Sequence, residues 1–299
     1  MKNIVFNKKK SNLIIDYFVE NGFCVVRGIY NEKKLKELEK FFKIISLKFE
    51  KINKNNFYDQ QAFAIACGSI FNKSDLNDYF FSNKNLIQLL KLFYGNDIIK
   101  IGESRFQINT KIGNNKKQIE EEKKHSQYLG IHSDYWTGTS EYSIHYWLPF
   151  FGLDKKNSMT VYPGSHLNGP FPVYNRSIDK SYKFLYKPHN LNFLKKGDLV
   201  LFHSLLLHKT SGKSQKTRAS LLTRFNNLHY RKTQQEYDLG FKTLSAGPMR
   251  KIIRMIGNDR LTPFRTYGGK AGIDRVTKSI YAENQMQPKD LNLIDKLKK

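Results

Sequence analysis

Hydrophobic and polar positions divide this chain into a helical first third and a strand-rich middle. Leu13, Ile14, Tyr17 and Phe18 share one face of a short helix that Ser11 can cap and Asn21-Gly22 can stop. Phe23 to Arg27 reads as a strand. Asn31 can then cap a longer helix, in which Leu35, Leu38, Phe41, Phe42 and Ile45 recur at helical spacing with lysines between them. A third helix is expected from Asn85 to Tyr94, closed by Gly95-Asn96. Beyond it the period changes. Phe106 to Ile112 alternates apolar and polar residues, as a half-buried strand does. Further strands are expected at 98–101, 143–150, 158–162, 199–202 and 218–225, with turns at Pro163-Gly164-Ser165 and Gly197-Asp198. A charged loop occupies 113–124 and a long irregular insert 170–188. Short strands preceded by helices imply a mainly β protein, a barrel or sandwich flanked by helices.

No repeat and no convincing linker appears. The expectation is one domain over residues 1–228, with a basic C-terminal extension, 229–299, packed on it. Ser245-Ala246-Gly247-Pro248 can start a basic helix running to Met255. Gly268-Gly269-Lys270-Ala271-Gly272 lacks the spacing of a phosphate-binding loop and follows no clear strand, so it reads as a flexible loop.

Composition sets bounds. With 299 residues, 39% hydrophobic, and 22 Phe and 17 Tyr, the chain can bury a sizeable core. The net charge of +25 would attract anionic partners. Lysine, however, greatly outnumbers arginine, whereas phosphate forks and base readout favour arginine. The charge reads first as a solvated lysine-rich surface, second as attraction to an anionic small molecule, and last as nucleic-acid binding. Lys116, Lys117, Lys123 and Lys124 form a lysine-rich loop that is either solvated or a lid over an anionic substrate. The two cysteines, Cys24 and Cys67, have no zinc spacing and fit a reducing cytoplasm. No segment approaches the length of an apolar membrane span, and no leader-like apolar stretch opens the chain.

The candidate chemistry lies in His132-Ser133-Asp134, followed 74 residues after the aspartate by His208 and ten residues later by Arg218. A His-x-Asp pair on a strand or strand end points both side chains to one side. Two imidazoles and a carboxylate can hold one face of an octahedral iron(II) ion, leaving positions open. His208 ends the apolar run that follows Gly197-Asp198, and Arg218 opens the next strand. An antiparallel pairing of those two segments would bring them together across a shared interior. A buried arginine there needs an anion, and its guanidinium fits a carboxylate in a two-pronged pair. Other histidines compete for the third ligand position. His203 is the nearest rival. His145 sits in a strand among aromatic residues and reads as a core or pocket residue, and His189 lies in the insert.

The chain resembles the phytanoyl-CoA dioxygenase family over roughly residues 10 to 228. The resemblance is carried by Tyr17 to Val26, His132-Ser133-Asp134, Tyr162-Pro163-Gly164-Ser165-His166, Gly197-Asp198, and His208 with Arg218. It implies a jelly-roll core, the cupin-like double-stranded β-helix, and the use of iron(II), 2-oxoglutarate and O2. His132, Asp134 and His208 would bind iron and carry catalysis, and His166 would not be a ligand. Arg218 would hold the far carboxylate of 2-oxoglutarate, with Thr210 assisting, Trp147 as a wall, and Gln107 and Asn109 on an inward strand face. From their own positions, Tyr135 and Trp136, directly after the aspartate, read either as an aromatic wall for a sugar or ring or as packing at the barrel rim, and Arg224 as a further anion-binding residue for the substrate. Trp136-Thr137-Gly138, Trp147-Leu148-Pro149 and Lys156-Asn157-Ser158-Met159 look most like a bacterial subgroup associated with carbohydrate and aminoglycoside biosynthesis. That points to a carbohydrate or aminocyclitol-like small molecule, anionic or nucleotide-linked. Asp134 disfavours halogenation, whose enzymes lack this ligand, and leaves hydroxylation, desaturation, ring closure and epimerisation. The rival readings are an oxygenase acting on nucleic acid and a non-catalytic binding protein on the same fold. Oligomeric state is not legible.

Overall fold

Alternation along the central strands builds the fold. The computed structural model describes residues 5–7, 11–52, 60–109, 130–174, 177–179, 185–211 and 216–248. The helical part contains α1 (Ser11–Asn21), α2 (Glu32–Ile52), α3 (Gln60–Asn72), α4 (Asp75–Phe81) and α5 (Lys84–Tyr94). The strands are β1 (Phe6–Asn7), β2 (Phe23–Arg27), β3 (Ile98–Asn109), β4 (Ile144–Phe151), β5 (Met159–Val161), β6 (Val173–Tyr174), β7 (Ser177–Ile178), β8 (His189–Asn190), β9 (Leu199–His203), β10 (His208–Thr210), β11 (Arg218–Asn227) and β12 (Phe241–Thr243), with a short helix, α6 (Gln234–Asp238), before the last.

Seven strands form one sheet in the order β1-β2-β9-β4-β11-β3-β12, antiparallel except for the β1–β2 pair. A second sheet, β10-β5-β8, is extended by a bridge between His132 and His208. On the large sheet Cys24, Val26, Tyr146, Leu148, Phe150, Leu199, Leu201 and Leu221 turn toward the helices. The alternate residues Phe23, Val25, Trp147, Val200 and Phe202 pack with Met159 and Val161 of the second sheet. A period of two thus splits each strand between two cores. The result is the expected jelly-roll with helices on one outer face.

Elements rich in one-sided periodicity match the sequence reading. Asn31 Oδ1 accepts the Lys34 backbone N–H at 2.9 Å and so caps α2. In α1, Ile14 and Phe18 are buried, but Leu13 faces solvent, so the apolar stripe is narrower than expected. Helices α3 and α4 are not predicted by the pattern. Phe63, Ala64, Ala66, Cys67, Phe71, Phe80 and Phe81 are all buried, so α3 lacks a clear polar stripe, while α4, with Asp75 and Asp78 exposed, is at seven residues too short to establish a period. The two strands expected at 98–101 and 106–112 are one strand, β3, up to Asn109; a register shift opposite Leu222 and Arg224 absorbs the residues between them. The Gly197-Asp198 turn also clamps the sheet: buried Asp198 accepts from Arg27 Nε and Nη2, each at 2.7 Å.

Phe106 lies where the helices meet the sheet, with its ring 5.4 Å from Phe71, 5.6 Å from Phe150 and 6.5 Å from Phe42. Phe106→Ala is expected to lower unfolding free energy by about 3–5 kcal/mol, read from the urea midpoint. Gly152 sets the start of β11. Its φ is +60°, and a Cβ there would lie 1.8 Å from the Thr217 carbonyl oxygen. Gly152→Ala must displace the backbone beside Arg218, so it is expected to destabilise the fold, read from a lowered urea midpoint.

Residues 229–248 close one edge of the large sheet. β12 pairs with β3. Thr233 and Glu236 form a capping box on α6, and the buried Glu236 carboxylate accepts from Ser140 N at 3.0 Å and Ser143 Oγ at 2.7 Å. The rest of the extension from 249, including the expected helix to Met255 and the Gly268–Gly272 loop, lies outside the described residues, as do Lys116, Lys117, Lys123 and Lys124. Among the described residues no helix is long and apolar enough to cross a membrane.

Candidate metal centre

His132, Asp134 and His208 converge at the rim between the two sheets, with one ligand atom from each lying within 4.8 Å of the others. Local structure explains the convergence. His132 and His208 face each other in the isolated bridge, with paired backbone hydrogen bonds of 3.0 and 2.9 Å. Ser133 then caps a short 3-10 turn, Asp134–Thr137, by accepting from the Tyr135 N–H, and its hydroxyl donates to the Ser204 carbonyl. Asp134 is therefore held at the first position of a turn that is tied to the β9–β10 connection.

The proton positions follow from the partners. His132 Nδ1 donates to the Gly130 carbonyl at 2.8 Å, and His208 Nδ1 donates to the Leu206 carbonyl at 3.0 Å. A carbonyl only accepts, so each proton sits on Nδ1 and each Nε2 keeps its lone pair. Those Nε2 atoms stand 3.7 and 3.9 Å from Asp134 Oδ1, too far for a hydrogen bond. Two imidazole lone pairs and one carboxylate oxygen at these separations suit a shared divalent ion, and the donor set is that of iron(II). Burial raises the Asp134 pKa, but His145, His208 and His132 together override it and hold the carboxyl well below the usual carboxylate range. Burial, with His132 adding to it, pushes the His208 imidazole down to about 4. The carboxylate is charged and the His208 imidazole neutral near neutral pH, as ligation requires.

Arg218 lines the same cavity as the three candidate ligands, together with Gln107, Trp147, Ser158, Met159, Phe202, Lys209, Thr210 and Leu222. Its guanidinium is buried, lies 5.1 Å over the Trp147 ring, and donates through Nη2 to Gln107 Oε1 at 2.8 Å and through Nη1 to the carbonyls of Asn157 and Ser158. Gln107 Oε1 also accepts from the Trp147 indole at 3.1 Å, so one amide oxygen braces both neighbours. The expected pairing of the His208 and Arg218 strands does not occur. β10 pairs with β5 in the small sheet, and β11 lies between β3 and β4 in the large one. The two residues meet across the sandwich because both point into it.

Two further polar side chains share the strand face of Arg218 without lining the cavity itself. Asn109 stands opposite Arg218 across the β3–β11 pair, and its buried amide atoms have no hydrogen-bond partner among the described residues. The same holds for the buried hydroxyl of Ser220, which alternation puts on the same face as Arg218. Polar atoms left without partners beside a buried guanidinium mark a place for a polar ligand.

The remaining sequence candidates scatter. Arg224 donates to Thr139 Oγ1 at 2.5 Å and neighbours His145 across β4. Trp136 packs against the cluster of Tyr162, Phe171 and Leu207, so it is more a packing residue than an open wall. Tyr135 is half-buried in the 3-10 turn. His203 accepts from the Leu205 N–H, and burial with His166 and His145 nearby pushes it down to about 4. His166 donates to the Val19 carbonyl, and His189 joins β8. Neither these three nor His145 is among the candidate ligands, although His145 lies against Asp134.

The family profile described as "Phytanoyl-CoA dioxygenase (PhyH)" matches residues 18–220, more than half of the chain and the whole of this centre. The chain belongs to the phytanoyl-CoA dioxygenase family. Enzymes of this family use iron(II), 2-oxoglutarate and O2. No curated protein matches the sequence. Among solved structures, the fold is similar to that of the epimerase SnoN in complex with Fe3+, alpha ketoglutarate and nogalamycin RO (TM-score 0.54, 12% identity, 73% of this chain and 84% of that one). It is also similar to the alpha ketoglutarate dependent carbocyclase SnoK from nogalamycin biosynthesis (0.51, 13%, 78% and 91%) and to AviO1 from Streptomyces viridochromogenes Tue57 (0.51, 12%, 75% and 98%). At such identities the likeness is one of fold.

Proposed function

We propose that this phytanoyl-CoA dioxygenase family member oxidises a small molecule of carbohydrate or aminocyclitol type, in surface-polysaccharide or secondary-metabolite biosynthesis. The observation that carries the reading is that two imidazoles, a carboxylate and a buried guanidinium line one cavity. Iron would be held by His132 Nε2, Asp134 Oδ1 and His208 Nε2, and with 2-oxoglutarate bound it supplies the oxygen-activating chemistry that attacks a C–H bond.

The chain's own residues supply positioning. Arg218 holds the far carboxylate of the diacid and so aims its other end at the three ligands. Thr210 adds a hydroxyl to that carboxylate, and Asn109 adds an amide from the facing strand. Gln107 keeps the guanidinium and the Trp147 indole in fixed orientation. Phe202, Met159, Leu222 and Trp147 make the walls apolar, which excludes water and strengthens the charged contacts. Tyr135, beside Asp134 in the 3-10 turn, and Arg224, on the inner face of β11, serve the substrate, and the arginine favours an anionic or nucleotide-linked one. A small-molecule substrate is supported by the fold relatives, which include an epimerase bound to nogalamycin RO and a carbocyclase of nogalamycin biosynthesis.

The test is succinate release against a panel of nucleotide sugars and aminoglycoside precursors, with and without iron. Iron-dependent succinate formation stimulated by a member of that panel is the expected result. Stimulation by lipids or free amino acids alone would reject the substrate class, and stimulation by oligonucleotides would replace it.

A further inference from the structure

We propose that His145 is a positioning residue that decides which oxygen of Asp134 faces the metal. This rests on the iron-centre reading above. His145 Nδ1 lies 2.8 Å from Asp134 Oδ2, whereas Oδ1 is the oxygen turned toward His132 and His208. An ionised carboxylate only accepts, so the hydrogen sits on His145 Nδ1 and points at Oδ2. The two oxygens have different tasks: one is engaged by His145, and the other is left for the ion.

The carboxylate needs this partner. Asp134 is at the first position of a four-residue 3-10 turn, and its side chain is 20% exposed. The last torsion of an aspartate joins a tetrahedral to a planar carbon and has only a broad, two-fold preference, so local geometry does not fix the plane of the carboxylate. His145, by contrast, is rigid. It lies in the middle of the large sheet, opposite Phe202 on β9 and Arg224 on β11. It is 9% exposed, and its ring stacks on Phe202 at 5.2 Å and 22°. The same phenyl ring packs on His208 at 4.7 Å. One aromatic residue thus braces a ligand and the partner of another ligand. Carboxylates bind ions through one oxygen or two. With Oδ2 engaged, Asp134 offers one, and the positions that 2-oxoglutarate and oxygen require stay open. Without His145 the carboxylate is free to turn, and either the metal is held less well or a second oxygen takes one of those positions.

The test compares wild type, His145→Leu and His145→Asn, each metal-free at the start and handled without oxygen. Three quantities are read: iron(II) affinity, the visible charge-transfer band after 2-oxoglutarate is added, and the thermal midpoint of the metal-free protein. Loss of an outer partner of a metal ligand costs about 10–100-fold in affinity. H145L is therefore expected to bind iron about 10–100-fold more weakly or to show a shifted band. H145N, whose amide can donate from nearly the same place, is expected to recover most of the affinity and the band. If H145L proves unfolded, His145→Ala takes its place. Wild-type affinity and band in H145L, or equal losses in H145L and H145N, would overturn the proposal. A wild-type protein that binds no iron would overturn the iron-centre reading itself, a result separable from the other two.

Discussion

Asp134→Ala reduces iron-dependent succinate formation to below about 1% of the wild-type rate. The expectation follows from charge and count. Asp134 is the single anionic member of the three-residue centre, and two neutral imidazoles remain without it. Losing a ligand should cost more than the 10–100-fold typical of losing an outer partner. The carboxylate is also what His145 is hydrogen-bonded to, so its removal leaves a second buried polar group without its acceptor. Asp134→Glu lengthens the arm and is expected to recover little. Product analysis of the pair by succinate assay, with iron affinity measured alongside, separates lost metal from misplaced metal.

Arg218→Ala raises the 2-oxoglutarate concentration needed for half-maximal turnover by roughly 10–100-fold. A charge-assisted hydrogen bond is worth about 1.5–3 kcal/mol, and each 1.4 kcal/mol is a factor of ten. Arg218 is 1% exposed, so its pairing with a carboxylate would be little screened. Arg218→Lys keeps the charge but loses the planar fork, and should fall between wild type and alanine. Iron affinity measured in the absence of 2-oxoglutarate should change much less, because Arg218 reaches the centre only through the shared cavity. A large fall in iron affinity would mean that Arg218 supports the fold through Asn157 and Ser158 and not the co-substrate.

What the sequence made legible is what depends on local order. The apolar run from Leu199 to Phe202, the helical period of α2 and the short spacing of His132 and Asp134 all survive as local geometry. What it hid depends on contacts made at a distance. His208 and Arg218 are ten residues apart and suggested a hairpin, yet each strand finds its partners elsewhere. Helix α3 is buried on too many sides to show a period, and α4 is only seven residues long. Gly152 matters because Thr217 passes against it, which no local pattern signals. Glu236 gives no hint of chemistry or packing in its own segment, but it ties the loop after the metal turn to α6 through Ser140 and Ser143. His145 is the instructive case. A reading as core or pocket was available from its aromatic surroundings. The stronger signal was its place two residues before Trp147, on the same strand face, which puts both into the sandwich interior.

If three side chains form an iron site, its occupancy should govern the binding of 2-oxoglutarate beside Arg218. Anaerobic calorimetry tests it most directly, titrating iron(II) into the metal-free protein and then 2-oxoglutarate into the loaded and unloaded forms. The expected result is one iron per chain, lost in Asp134→Ala, and 2-oxoglutarate binding that is much tighter with iron present. Absence of iron binding, or 2-oxoglutarate affinity indifferent to both iron and Arg218, would contradict it.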